Sequence, residues 1–292
     1  MDLSLAVAAK AECDTGAFFD ALDAEGITSA RGIDVHIAHD TSWHVDDDLR
    51  ENIHFHACPE NTSILKLWGI AIAHCKGKMI AVLDIKCPPS SGWLKRAILE
   101  IKKNTRLFFG PVNPGWSTND INIVGYLTEY AQFRSPLADD VFEVPGNNVI
   151  CERSLFDDVE KLETQGFYKT FMIWRLVNEG ITPRHFDDMA VSYHKPFTVS
   201  HYMKRRLIHG RCFAACRFDN VGQPPRLLCL GFTPFLPVLR TWRIYKTVRQ
   251  HADLAGAFLG FLPLIFLSES FWSLGEFLGY AVGGKHYCDR LD

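Results

Sequence analysis

No C-x-x-C pair occurs among the nine cysteines of this 292-residue chain. The two nearest, Cys212 and Cys216, lack zinc-type partners at the usual spacing, so the cysteines build no metal site on this reading. An odd count, together with a start at Met1-Asp2-Leu3 that has neither a charged n-region nor a long apolar h-region, favours reduced thiols in a cytosolic setting. A basic surplus is missing too. The net charge of −3 excludes a general nucleic-acid binder. Internal repeats and low-complexity linkers are absent. The longest uncharged apolar run, Leu254 to Leu267, has fourteen residues. As a helix it reaches about 21 Å, short of the roughly 30 Å of a bilayer core. What remains, 47% hydrophobic and 22% charged, is enough to bury a full core.

The chain is organised around Met79 to Leu94. Met79 to Leu83 is apolar, Asp84 follows, and Pro88-Pro89 with Ser90-Ser91-Gly92 make a turn. A short apolar run closed by turn residues suits a strand buried on both faces. An acid at its carboxyl end stands where open α/β sheets bind ligands. Trp93 to Lys102 then has helical periodicity.

Similar units precede it. Leu3 to Ala9, Ile33 to Ala38 (ending in His39-Asp40-Thr41) and Ile53 to Ala57 read as strands. Asp14-Thr15 caps a helix that Gly26 ends, and Ser63 to His74 is a second helix. Strands alternating with helices predict a mainly parallel sheet flanked by helices. The triplet Asp46-Asp47-Asp48 reads as a solvated turn. Further on, Leu107-Phe108-Phe109, Ile121 to Tyr126 and Val149-Ile150-Cys151 read as strands, and Leu127 to Phe133 carries Glu129. Leu155 to Leu162 and Gly166 to Gly180 read as helices, Ala190 to His194 as a strand, and Ser200 to Phe218 as a basic helix.

From about residue 226 the character changes. Apolar segments flank a basic stretch, Arg240, Arg243, Lys246 and Arg249, with Trp242 and Tyr245 interleaved. That combination fits interfacial or re-entrant membrane attachment better than spanning. A helical hairpin packed on protein is the alternative. Glu269 and Glu276, seven apart, share one helical face. The expected division is residues 1–225 as the sheet domain and 226–292 as an apolar and basic helical extension.

The ordered pieces resemble the family 2 inverting glycosyltransferases. These are nucleotide-diphospho-sugar transferases with the Rossmann-like GT-A fold. The pieces are His39-Asp40-Thr41-Ser42, Lys66-x-x-Gly69-x-Ala71, Val82-Leu83-Asp84 and Pro88-x-x-x-Gly92-Trp93-Leu94. Gly146-Asn147-Asn148, Gly166-Phe167, Arg175-Leu176-x-x-x-Gly180, Val191-x-x-His194 and Arg206-x-x-x-Gly210-Arg211 follow. The resemblance spans about Leu3 to Arg217. It implies transfer of a sugar from a nucleoside-diphosphate donor to a glycan or lipid-linked acceptor at the cytoplasmic face of a membrane.

Carried over by position, Asp40 would contact the nucleoside and Lys66 would lie near it. Asp84 opens the D-x-D element whose acids normally hold Mg²⁺ or Mn²⁺ against the diphosphate. Asn147, Asn148, Lys169, His194, Arg206, His209 and Arg211 fall on the acceptor or phosphate side. Two positions depart from the pattern. Lys86 replaces the second acid; it can neutralise phosphate as a point charge but cannot ligate a metal. Lys169-Thr170 stand where the base carboxylate is expected after Gly166-Phe167-Tyr168, leaving Glu129 as a substitute base. Both departures open an alternative: a catalytically inactive homologue that binds a sugar nucleotide or partners a synthase.

Read without the resemblance, each candidate also has a plainer role. Asp40 could cap a helix, Glu129 could be solvated, Asn147-Asn148 could make a turn, His194 could be packed, and the basic helix could be a solvated face.

Overall fold

The computed structural model describes residues 3–10, 15–40, 51–117, 120–138, 143–156, 158–196, 198–218 and 224–291. Asp14, Thr41-Ser42 and the acidic triplet 46–48 lie outside the described residues. In chain order the elements begin β1 Leu3–Ala9, α1 Gly16–Ala24, β2 Ile33–Asp40, β3 Ile53–Cys58, α2 Ile64–His74, β4 Met79–Asp84 and α3 Trp93–Lys102. They continue with β5 Leu107–Phe109, β6 Val112–Pro114, α4 Ile123–Glu129, β7 Asn148–Glu152, α5 Val159–Gln165, α6 Lys169–Asn178, β8 Arg184–His185 and β9 Val191–Tyr193. The last are α7 Val199–Arg217, α8 Arg226–Phe232, α9 Leu236–Val248, α10 Ala252–Gly260 and α11 Leu262–Val282.

These elements form two compact units, Met1–Asn113 with Phe133–His194, and Pro114–Gln132 with Lys195–Asp292. The first holds a seven-stranded sheet in the order β3-β2-β1-β4-β7-β5-β8. Its first four strands are parallel, and β7 alone runs against both of its neighbours. β1 and β4 are buried at every residue, which is why their sequences are continuously apolar rather than alternating. The chain moves from β1 outward through β2 to β3, then returns to place β4 on the other side of β1. The β1/β4 boundary is therefore a topological switch point.

Local chemistry sets the helices around this sheet. The Ser63 side chain caps α2 by accepting from the Lys66 amide. Glu25 accepts from the amides of Gly92 and Leu94, both at 2.8 Å, and so closes the exposed N-terminus of α3. Gly69 lets α2 approach the end of α5, because a Cβ there would meet the Leu162 carbonyl at 2.0 Å. The Gly69 and Gly166-Phe167 motifs are thus one feature: the Phe167 amide donates to the Leu65 carbonyl at 2.8 Å.

The second unit is helical. α7 and α11 lie against each other at glycines: a Cβ on Gly210 would meet the Trp272 carbonyl, and one on Gly275 the Leu207 carbonyl, each at 2.2 Å. Small residues let backbones approach this closely. Two sequence expectations change here. Ile121 to Tyr126 is not a strand: Asp120 accepts from the Asn122 amide at 2.8 Å and helix α4 follows, burying every residue from Ile123 to Leu127. Leu254 to Leu267 is not one helix either. Phe261 ends α10 and Pro263 sits in the first turn of α11, where its missing N–H costs nothing. No described helix is by itself long and apolar enough to cross a membrane, and the α10–α11 pair is bent by 76°.

The expectation of reduced thiols also fails at one place. Cys212 and Cys288 are bridged, and the Cys216 sulfur stands 3.7 Å from that of Cys288. The partner lies 76 residues away in sequence, beyond the reach of any spacing rule.

Candidate active site

The carboxyl ends of β2, β1 and β4 bring three charged residues to one sheet edge. The parallel register sets Ala9 beside His39 and Ala8 beside Asp84. Asp40 therefore ends β2, Lys10 follows β1, and Asp84 ends β4. Lys10 Nζ lies 3.4 Å from Asp40 Oδ2 and donates to the Thr62 carbonyl at 2.9 Å. Asp40 is buried at 3% exposure, so the nearby ammonium offsets what burial of a carboxylate costs. Lys10 gave no signal in the sequence, since a lysine after a strand is ordinary. Only the register reveals it.

Asp84 is 9% exposed. Its Oδ1 accepts from the Lys86 amide at 2.9 Å, an Asx turn that fixes the carboxylate. Its Oδ2 has no protein donor among the described residues. The Cys87 amide returns to the Asp84 carbonyl at 2.8 Å, and the Trp68 indole donates to the Leu83 carbonyl at 2.7 Å. The end of β4 is thus held rigidly with one carboxylate oxygen left over.

Asn147 and His194 join this place. The Asn147 amide nitrogen lies 2.9 Å from Cys87 Sγ, and its Oδ1 is buried with no protein partner among the described residues. The His194 amide donates to the Lys86 carbonyl at 2.9 Å. Burial moves the His194 imidazole below its ordinary value, which keeps it neutral at pH 7. Asn148 does different work. Its amide nitrogen donates to the carbonyls of Pro111 and Met189, and its oxygen accepts from Trp93 Nε1, so it ties strands to α3.

Lys66 sits in the first turn of α2 and is half-buried. Lys169, at the expected base position, donates to the Val144 carbonyl. Burial lowers its pKa, and Glu143 opposes that.

The remaining candidates belong to the helical unit. Glu129 Oε2 accepts from Arg205 Nη2 at 2.9 Å, and Oε1 accepts from the Tyr202 hydroxyl at 3.3 Å. Burial alone would raise the Glu129 pKa, but the charges of Arg205, Arg206 and Lys195 overcome it and hold it at about 2. A carboxylate held that low is ionised and a poor proton acceptor. Arg206 is buried and donates to Glu269 Oε1 at 2.6 Å, while Arg240 donates to the other Glu269 oxygen. Both guanidinium groups lie over Trp272, at 4.4 and 4.5 Å from its ring centre. His209 is packed 4.5 Å from Trp272 and is held neutral, by burial first and Arg205 second. Arg211 donates to the Gly283 carbonyl at 3.1 Å and covers Tyr287.

A mainly parallel sheet flanked by helices, with acids at its switch point, matches the GT-A glycosyltransferase fold, which the comparisons with solved structures show. The chain superposes on residues 1–349 of S. aureus TarS in complex with UDP-GlcNAc, with a TM-score of 0.51 and 12% identity over 96% of this chain and 91% of that one. It superposes likewise on the mannosyltransferase PcManGT from Pyrobaculum calidifontis in complex with GDP-Man and Mn²⁺, with a TM-score of 0.50 and 15% identity over 98% and 87%. At these identities the likeness establishes the fold. By sequence alone, no family model and no curated protein matches.

Proposed function

We propose that this chain is an inverting glycosyltransferase of the family 2 type, moving a sugar from a nucleoside-diphosphate donor to a glycan or lipid-linked acceptor. The observation that carries the reading is Asp84: a carboxylate fixed by its own turn at the switch point, with one oxygen open. Two proteins sharing the fold hold UDP-GlcNAc and GDP-Man, which supports this donor class. In this reading Asp40, oriented by Lys10, receives the nucleoside, and Asp84 and Lys86 face the diphosphate.

The residues fit a divalent cation in a limited way. Mg²⁺ or Mn²⁺ commonly takes one or two protein carboxylates and completes its shell with substrate phosphates and water. Asp84 would hold it, and when bound it would neutralise charge on the leaving diphosphate. Lys86 supplies charge but no ligand. In the transfer the acceptor oxygen forms a bond to the anomeric carbon as the bond to diphosphate breaks, and the acceptor proton passes to a base.

One observation favours a second reading. Lys169, in the base position, is spent on the Val144 carbonyl, and Glu129 is spent on Arg205 and Tyr202. A homologue without a base would bind donor without turning it over, as a partner subunit in polysaccharide or glycolipid synthesis.

We further propose that the helical unit rests on the cytoplasmic face of a membrane. Leu227, Leu228, Phe235, Val238 and Trp242 expose 52 to 79% of their surface, and the exposed cations Arg243 and Lys246 follow them along α9. Apolar anchors beside cations favour an anionic lipid interface.

The test is calorimetric titration of UDP, GDP, UDP-GlcNAc and GDP-Man with and without Mn²⁺, on the protein and on Asp84→Ala, followed by donor turnover. Metal-dependent binding lost in Asp84→Ala, with turnover, is the expected result. Binding without turnover selects the second reading. Absence of binding by every nucleotide sinks both.

A further inference from the structure

The C-terminal turn brings a third sulfur to two that stand on α7. Cys212 and Cys216 are four residues apart on α7 and so share one face. After α11 the chain reverses at Gly283 and Gly284, whose φ values of +72° and +135° lie in the region that favours glycine. A Cβ on Gly284 would meet Arg211 Nε at 2.7 Å, so the missing side chain also lets the turn Lys285–Arg290 lie close against α7. Arg211 fastens it there by donating to the Gly283 carbonyl. Cys288 arrives on that turn 72 positions after Cys216, which is why spacing alone showed only a pair.

The sulfurs of Cys212, Cys216 and Cys288 all lie within 4.8 Å of one another. Cys216 Sγ is 3.7 Å from Cys288 Sγ. Zn–S bonds of about 2.3 Å give a tetrahedral edge of about 3.8 Å, so this pair already stands at ligand spacing. The bridge between Cys212 and Cys288 is the oxidised form of the same three sulfurs. Cys212 is buried, whereas Cys216 and Cys288 are half-buried. One side of the group is therefore open to a reductant, to an entering ion and to a water in the fourth position. Arg211 and Arg290 both lie over the ring of Tyr287, the neighbour of Cys288, at 3.9 and 5.2 Å from its centre. Three thiolates around a divalent ion leave one excess negative charge, which these cations offset.

We propose that Cys212, Cys216 and Cys288, once reduced, bind one soft divalent ion of the Zn²⁺ class, and that the Cys212–Cys288 bridge is the form that holds none. Thiolates select such ions over the hard cations suited to Asp84. Reduction takes two electrons from a small-thiol reductant of the kind that keeps cytosolic cysteines reduced. Two R–SH become one R–S–S–R, the S–S bond of the bridge breaks, and each of its sulfurs gains a proton. Binding then expels three thiol protons as three sulfur–metal bonds form, with water as the fourth ligand. In both forms the C-terminal turn stays tied to α7, by the bridge or through the ion.

The experiment uses the full chain without a polyhistidine tag, reduced anaerobically by a phosphine and titrated with Co²⁺, then with Zn²⁺ in competition. One Co²⁺ per reduced chain is expected, with a thiolate charge-transfer band that Zn²⁺ removes. The oxidised chain should show no such band. Cys216→Ser leaves the bridge in place, and circular dichroism of the oxidised variant should match the parent. After reduction it should bind Co²⁺ more weakly by over the roughly 10- to 100-fold that losing an outer-sphere partner costs. Cys229→Ser, outside the group, should change nothing. On the unsubstituted reduced chain, Zn²⁺ should slow alkylation of Cys212, Cys216 and Cys288 by iodoacetamide, read by peptide mass, and leave Cys229 reactive. No stoichiometric uptake, uptake without a thiolate band, a band unchanged in Cys216→Ser, or equal alkylation of the three with and without Zn²⁺ would each overturn the assignment.

Discussion

Asp84 in the sheet unit and Glu269 in the helical unit are both buried carboxylates, yet they are built for opposite ends. Asp84 has one oxygen fixed by the Lys86 amide and the other without a protein donor. Glu269 has both oxygens on guanidinium groups, Arg206 and Arg240, from two other helices. A carboxylate with spare acceptor capacity at a sheet's switch point is prepared to meet something from outside. One saturated by two arginines has nothing left to offer and holds helices together instead. Burial by itself therefore does not mark a functional acid. The count of satisfied lone pairs does.

The contrast is broken most directly at Asp84. Asp84→Asn keeps the shape and the Oδ1 acceptor, so the urea midpoint should barely move. Donor transfer should fall on the order of a hundredfold or more, because several kcal/mol of charge stabilisation at the diphosphate go with the carboxylate. A steady-state assay beside a urea melt reads both. Comparable loss in stability and transfer would mean that Asp84 is structural after all.

Glu269→Gln should show the reverse. It leaves two guanidinium groups facing a neutral amide in a buried place, a change that costs about 3–5 kcal/mol, while nucleotide affinity stays the same. Replacing the pair as Arg206→Met/Glu269→Leu should recover much of that loss, since a buried ion pair is often no better than a packed apolar pair. If the double variant is as unstable as the single, Arg240 and the stacking on Trp272 carry more than the pair.

The sheet was far more legible in the sequence than the helical unit, for physical reasons. β1 and β4 lie inside a mainly parallel sheet and are buried throughout, so their sequences are unbroken apolar runs ended by turn residues, and the helix beginning at Trp93 follows a glycine in the left-handed region. The α4 segment misled because Ile121, Ile123 and Val124 favour a strand locally; packing inside the helical unit decides otherwise. Pro263 was present to mark the bend between α10 and α11 but stood within an apolar run that drew attention to length. Within the site, Asp84 and Asp40 were readable from their place after apolar runs. Lys10 was not, because only the register sets it beside Asp40. Asn148 read as a turn residue but is spent inside the sheet, and the structural use of Arg206 and Arg211 depends on residues more than sixty positions away.

Glu129 gives the smallest effect and the finest version of the comparison, because it lies between the two extremes: ionised and paired, though by one arginine rather than two. Its folded pKa of about 2 lies below the ordinary 4.5, so folding favours the charged form. The stability this contributes is fully present above about pH 4.5 and is lost as the pH falls toward 2, where the folded state must also take up the proton. Glu129→Gln cannot titrate. Urea midpoints of the two proteins should therefore differ at pH 6 and converge between pH 4.5 and 2.5. A gap that stays constant through that window would mean that Arg205 does not hold the charge, and Glu129 would then be available as a base after all.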